Sequence, residues 1–308
     1  MLRFFPFEET FDPRMGTRVL KPDEPLCDIE PSRYAVEIAL KQRLLAEDHS
    51  YYFHGGESTW WAQWDVLELV ATDLARIYPQ HFRLAKDGDR WRWANELTGE
   101  RTSFGFGDRA SLPCEPLDWI GRQVQDDLVL LSSDASATFV GGQLCFANGW
   151  AIDDRLGKPF LEIHRHTPSA TMGSVHAGAR LLETLKPGRT FWRMSWNFKL
   201  SDQMDQTTRH NPAYKSMFDA RVPSLTTEAV GADVFIRIER QTFTRLPRSN
   251  GVLFGIHTYN SPVGEEAADP VRARHILNVV RAAPRDVKDY KAITPIETAL
   301  VSFLERAC

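Results

Sequence analysis

Cysteine is scarce in this chain: Cys27, Cys114, Cys145 and Cys308 are all there is in 308 residues, and they stand far apart. No two of them have the short spacing of a zinc knuckle or an iron-sulfur site, so a cluster held by four cysteines is not expected. Long apolar runs are missing too. No stretch approaches the roughly 20 apolar residues of a membrane-spanning helix, and the opening MLRFFPFEETFDPR lacks the apolar segment of a secretory signal. The expectation is a cytoplasmic protein without disulfides. Charge of one sign is nowhere concentrated. Lys and Arg number 37 against 41 Asp and Glu, a net charge of −4 spread along the chain. That balance gives no reason to expect nucleic acid or a membrane as partner.

What is present is an ordinary globular composition, 43% hydrophobic, enough for one large or two smaller cores. Residues 1–30 are rich in Pro, Asp and Glu and read as an extended arm. Apolar residues at helical spacing predict helices over 32–47 and 60–78. A hairpin over 90–104 with a turn at Thr98-Gly99 and a helix over 114–126 follow. Strands are expected at 128–131 and 137–146, then helices over 150–164, broken at Gly157-Lys158-Pro159, and over 173–185.

Three strands come next, at 190–200, 233–244 and 252–259. Period-two alternation puts Arg193, Ser195 and Asn197 on one face of the first, with Trp192, Met194, Trp196 and Phe198 on the other. The second puts Phe235, Arg237, Glu239 and Gln241 opposite Val234, Ile236 and Ile238. The third puts Leu253, Gly255, His257 and Tyr259 on one face. Two further helices are expected over 269–283 and 294–307. Two strands, a block of short helices and three strands make an α+β order: a PAS-like antiparallel sheet with covering helices and N- and C-terminal helical extensions. The expected division is an arm and helices at 1–127, a PAS-like core at 128–263 and C-terminal helices at 264–308, in one structural unit.

Several segments in order, PLCDIEPSRYAVEIALKQRLL, QDDLVLL, RLGKPFLEIHRHTP, RMSWNF and RQTFTRLPRSNGVLFGIHTY, resemble the haem-dependent oxidative N-demethylase family. The resemblance implies a PAS core holding haem b, in the catalytic subunit of a dimethylamine monooxygenase that uses O2. It also implies partner subunits carrying FMN, a 2Fe-2S centre and NADPH. With no G-x-G-x-x-G, P-loop or cysteine cluster in the sequence, a separate reductase is the expected electron source. His164 and His176 are the leading candidates for the iron ligand, with His166 and His257 behind them, and Cys145 reads as core. His164 matches the family's Ile-His, although here Arg165-His166-Thr167-Pro168 follows instead of Val-Pro. Trp196 is expected against the cofactor. His257, Tyr259, Glu239, Arg240 and Arg193 are expected in the reaction chamber, where a buried carboxylate would hold a small amine and polar donors would face O2. Arg193, Glu239 and Arg240 also read as a solvated charge ladder. A haem PAS gas sensor without turnover is the alternative function.

Overall fold

The computed structural model describes residues 1–14 and 16–308. Seven strands form its main sheet, every neighbouring pair antiparallel: β1 (Arg18–Val19), β2 (Phe53–His54), β6 (Asp127–Leu131), β7 (Phe139–Gln143), β8 (Phe191–Lys199), β9 (Phe235–Arg245) and β10 (Val252–Pro262). They lie in the order β1-β8-β9-β10-β6-β7-β2. The central five keep the PAS-like arrangement, with helices inserted between β7 and β8. A separate three-stranded sheet joins β3 (Phe82–Asp87), β4 (Arg90–Asn95) and β5 (Glu100–Gly105).

β9 and β10 are the longest strands and pair from Val252 opposite Arg245 to Pro262 opposite Phe235. Their turn uses Asn250 at φ 58°, a left-handed conformation that asparagine tolerates better than branched residues. At β7, Gly141-Gly142 allows close strand packing. A Cβ on Gly141 would lie 2.6 Å from the His54 carbonyl, and one on Gly142 2.7 Å from that of Leu128.

One face of the sheet is covered by the N-terminal half. The Pro31–Glu47, Trp60–Ile77 and Pro116–Gly121 helices and the small sheet pack Trp64, Trp93, Trp119 and Leu74 against Leu128, Leu130 and Leu253. Toward β8 and β9, Ile236, Ile238 and Phe198 pack on the Pro270–Ala282 and Glu297–Ala307 helices. The other face is covered by the Ile152–Arg155, Phe160–Ile163 and Met172–Thr184 helices. This covering is looser, and it leaves a cavity.

Several elements depart from the sequence reading. The helix expected over 114–126 is only Pro116–Gly121, and the one expected over 150–164 is two single turns. The first strand of the small sheet, FRLAKD, shows little periodicity because only Phe82 of its six residues is buried. The Asn211–Arg221 helix buries no residue and so lacks an apolar stripe to read.

Candidate active site

The cavity between the sheet and its short covering helices has a volume of about 500 Å³, within the ~300–1,000 Å³ usual for small-molecule sites. Its two ends differ in character. Val129, Leu131, Phe139, Phe243, Phe254 and Ile256 from β6, β7, β9 and β10 line the apolar end, roofed by Phe160 and Ile163. His164 caps the Phe160–Ile163 helix there. Its Nδ1 lies 2.8 Å from the Phe160 carbonyl oxygen, and its ring packs 4.2 Å from the Phe160 ring, centroid to centroid. A carbonyl only accepts, so Nδ1 carries the proton and Nε2 keeps a bare lone pair. Burial, reinforced by the Arg193 and Arg155 charges, pushes the His164 pKa down to about 4 against the opposing pull of that hydrogen bond. The imidazole is neutral at physiological pH and ready to act as a donor ligand.

β8 and β9 build the polar end. Arg193 stands opposite Gln241, Ser195 opposite Glu239 and Asn197 opposite Arg237, so alternate residues of both strands reach the cavity side. Arg193 Nε donates to Gln241 Oε1 at 2.8 Å, and Gln241 Nε2 donates to Glu239 Oε2 at 2.8 Å. Lys291 follows the Arg285–Tyr290 helix and seals the free edge of β8, its carbonyl accepting from Phe198 N at 3.1 Å. Its Nζ is 3.5 Å from Ser195 Oγ and 5.0 Å from the Trp196 ring centroid. Lys199 lies further along β8 in the same wall. Burial lowers the pKa of Arg193 to about 10 and those of Lys199 and Lys291 to about 8, with the Glu239 charge opposing the shift in each case.

Of the residues singled out from the sequence, His164, Arg193 and Glu239 are brought together around this cavity and His166 lies at its rim, whereas Trp196 borders it only at the sheet edge, standing opposite Ile238 with its ring packed on Phe7 and Phe198. His166 is exposed, and its Nε2 accepts from Arg165 Nε at 2.9 Å. His176 is exposed on the Met172–Thr184 helix and is not part of the lining. His257, Tyr259 and Arg240 lie on the reverse face. His257 pairs with Arg240, so it shares that residue's face and not the face of Glu239 one position away.

On that reverse face His257 Nδ1 is 2.8 Å from Asp126 Oδ2, and its ring stacks 4.3 Å from that of Tyr259. Tyr259 donates its hydroxyl to Asp28 at 2.6 Å, and Arg240 donates to the carbonyls of Pro25 and Leu26. Burial alone would depress the His257 pKa, but the Asp126 charge and hydrogen bond outweigh it and the net shift is upward. The solvated ladder also fails: Arg193, Glu239 and Arg240 are all buried.

Sequence reasoning missed Lys199, Gln241, Tyr290 and Lys291 as cavity residues. Alternation could have supplied Lys199 and Gln241, which continue the Arg193 and Glu239 series. Nothing local marks Lys291, which reaches the site by chain folding alone. The family model described as haem-dependent oxidative N-demethylase, alpha subunit-like matches residues 18–301.

Proposed function

The chain belongs to the haem-dependent oxidative N-demethylase, alpha subunit-like family, and from that premise we propose that it is the haem-carrying catalytic chain that removes a methyl group from a small secondary amine such as dimethylamine. The methyl carbon leaves as formaldehyde. One observation carries the reading: a neutral imidazole, His164, has its Nδ1 occupied by a backbone carbonyl at the apolar end of a cavity sized for a small-molecule ligand. His164 Nε2 would hold the iron of a flat apolar cofactor seated at that end. Haem b bound there supplies the reductive activation of O2 that oxidation of an N-methyl group requires.

The side chains of the polar end handle the substrate. Glu239 offers its carboxylate to the ammonium, holds the N–H and takes the proton that must leave before the nitrogen lone pair is available. Gln241 fixes Oε2 of that carboxylate, and among the described residues no side chain donates to Oε1. Arg193, Lys199 and Lys291 make the cavity a poor place for another cation, which favours the neutral, oxidisable amine. Trp196 at the rim presents its ring to the Lys291 ammonium. In this proposal His257, Tyr259 and Arg240 act as positioning residues, pinning the segment around Asp28 to the back of the sheet. Electrons come from NADPH through FMN and 2Fe-2S carriers on partner subunits, consistent with the family's description as alpha subunit-like.

Formaldehyde release tests the reading. Protein reconstituted with haemin and supplied with O2, an electron-donating reductase and dimethylamine should produce formaldehyde and methylamine. Reconstituted, reducible protein that yields no formaldehyde from any small secondary amine would refute it.

A further inference from the structure

Five basic side chains line the cavity, Arg14, Arg155, Arg193, Lys199 and Lys291, against two acidic ones, Asp12 and Glu239. Arg14 and Asp12 neutralise each other in an exposed pair at 2.7 Å. Four cations therefore face a single carboxylate. Their contacts are with neutral groups: Arg193 with the Gln241 amide, Arg155 with the Ile163 carbonyl, Lys291 with the Ser195 hydroxyl, and Lys199 with the Tyr214 ring at 5.1 Å. Among the described residues none of the four forms an ion pair. Withdrawing a cation from water without a counter-ion is unfavourable, and the two lysines show it in pKa values lowered to about 8. A bare secondary ammonium entering beside Glu239 would add positive charge and leave this excess uncompensated.

We propose that Arg193 and Lys291 form a carboxylate-binding subsite at the polar end of the cavity, filled by an acid group that the ligand brings with it, while Lys199, six residues along β8 against the Tyr214 ring, stands apart from it. The inference rests on the haem amine-oxidation reading of the same cavity. Two sources carry that chemistry: the propionate side chains of the cofactor, or the carboxylate of an N-methylated amino acid as substrate. The second matches the wall's layout. Glu239 stands opposite Ser195, whose hydroxyl is 3.5 Å from Lys291 Nζ. An ammonium at Glu239 therefore has a carboxylate acceptor close by, as a zwitterion requires.

The test compares wild type with Lys291→Met and the charge-keeping Lys291→Arg, each checked for folding by circular dichroism. Haemin and its dimethyl ester are titrated into each protein, followed by N-methylglycine and dimethylamine read from the Soret shift. If the propionates fill the subsite, Lys291→Met loses tenfold or more of the preference for haemin over its ester, and Lys291→Arg restores it. If the substrate fills it, haemin binding is unchanged while N-methylglycine weakens tenfold or more and dimethylamine does not. Folded variants that alter neither preference overturn the subsite. Wild type without a Soret band overturns the haem reading instead. Calorimetric titration of N-methylglycine into the cofactor-free protein then decides the subsite: binding weakened tenfold by Lys291→Met sustains it, and no binding overturns it.

Discussion

Single residues in this protein take their chemistry from what surrounds them. Glu239 is a carboxylate among cations, with one oxygen held by Gln241. If it takes the amine's proton, Glu239→Gln keeps the shape and loses the base. Turnover is expected to fall by about 10²- to 10⁴-fold with haem content unchanged, measured as formaldehyde formed per haem. Unchanged turnover would remove Glu239 from the chemistry. Lys291 offers a second check. Its folded pKa, about 8, lies below the ordinary value of 10.5. Between those values the unfolded chain binds more protons than the folded one, so the contribution of Lys291 to stability rises as pH increases from about 8 to 10.5, by at most about 3 kcal/mol. Urea denaturation of cofactor-free wild type and Lys291→Met across that window should show the slope in the first and a shallower one in the second.

At the scale of elements, the sheet's longest hairpin depends on an anchor outside it. Asp65 is buried on the Trp60–Ile77 helix and accepts from Arg248 N at 3.1 Å and from Ser249 N and Oγ and Arg248 Nη1 at 2.8 Å each. Replacing it by Ala leaves the Arg248 and Ser249 amides without their acceptor, with Glu68 still paired to Arg248, and should cost about 2–4 kcal/mol in urea denaturation. A loss below 0.5 kcal/mol would mean that the turn holds itself. The strands are legible in the sequence because their alternation is strong: it sets Arg193, Ser195 and Asn197 on one face of β8 and Glu239 and Gln241 on one face of β9, as the register has them. Register was not legible. Nothing local says that His257 sits opposite Arg240, and that pairing sends His257 and Tyr259 to the back of the sheet. Helices with a buried stripe were readable to within a few residues, whereas Asn211–Arg221, with none, left no pattern.

In the whole molecule, the two faces of one sheet do different work. The back is sealed by tightly packed aromatic and aliphatic cores, and buried Arg240 clamps a loop to it through the Pro25 and Leu26 carbonyls. The front is covered by two single-turn helices and one of 13 residues, and the cavity persists beneath them. The α+β, PAS-like order was visible in the succession of strands and short helices. The cavity's composition was not, because Lys291 and Tyr290 arrive from the C-terminal segment and Asp12 and Arg14 from the N-terminal arm. Such contacts depend on three-dimensional closure and leave no spacing in the sequence.

The central claim is that His164 holds iron porphyrin at the apolar end of this cavity. Haemin titrated into wild type, His164→Ala and His176→Ala, followed by absorption in the Soret region, tests it most directly. Wild type and His176→Ala should bind one equivalent with the same sharp Soret band, and His164→Ala should bind weakly or show a shifted band that added imidazole restores. Full binding with an unaltered spectrum in His164→Ala would contradict the account.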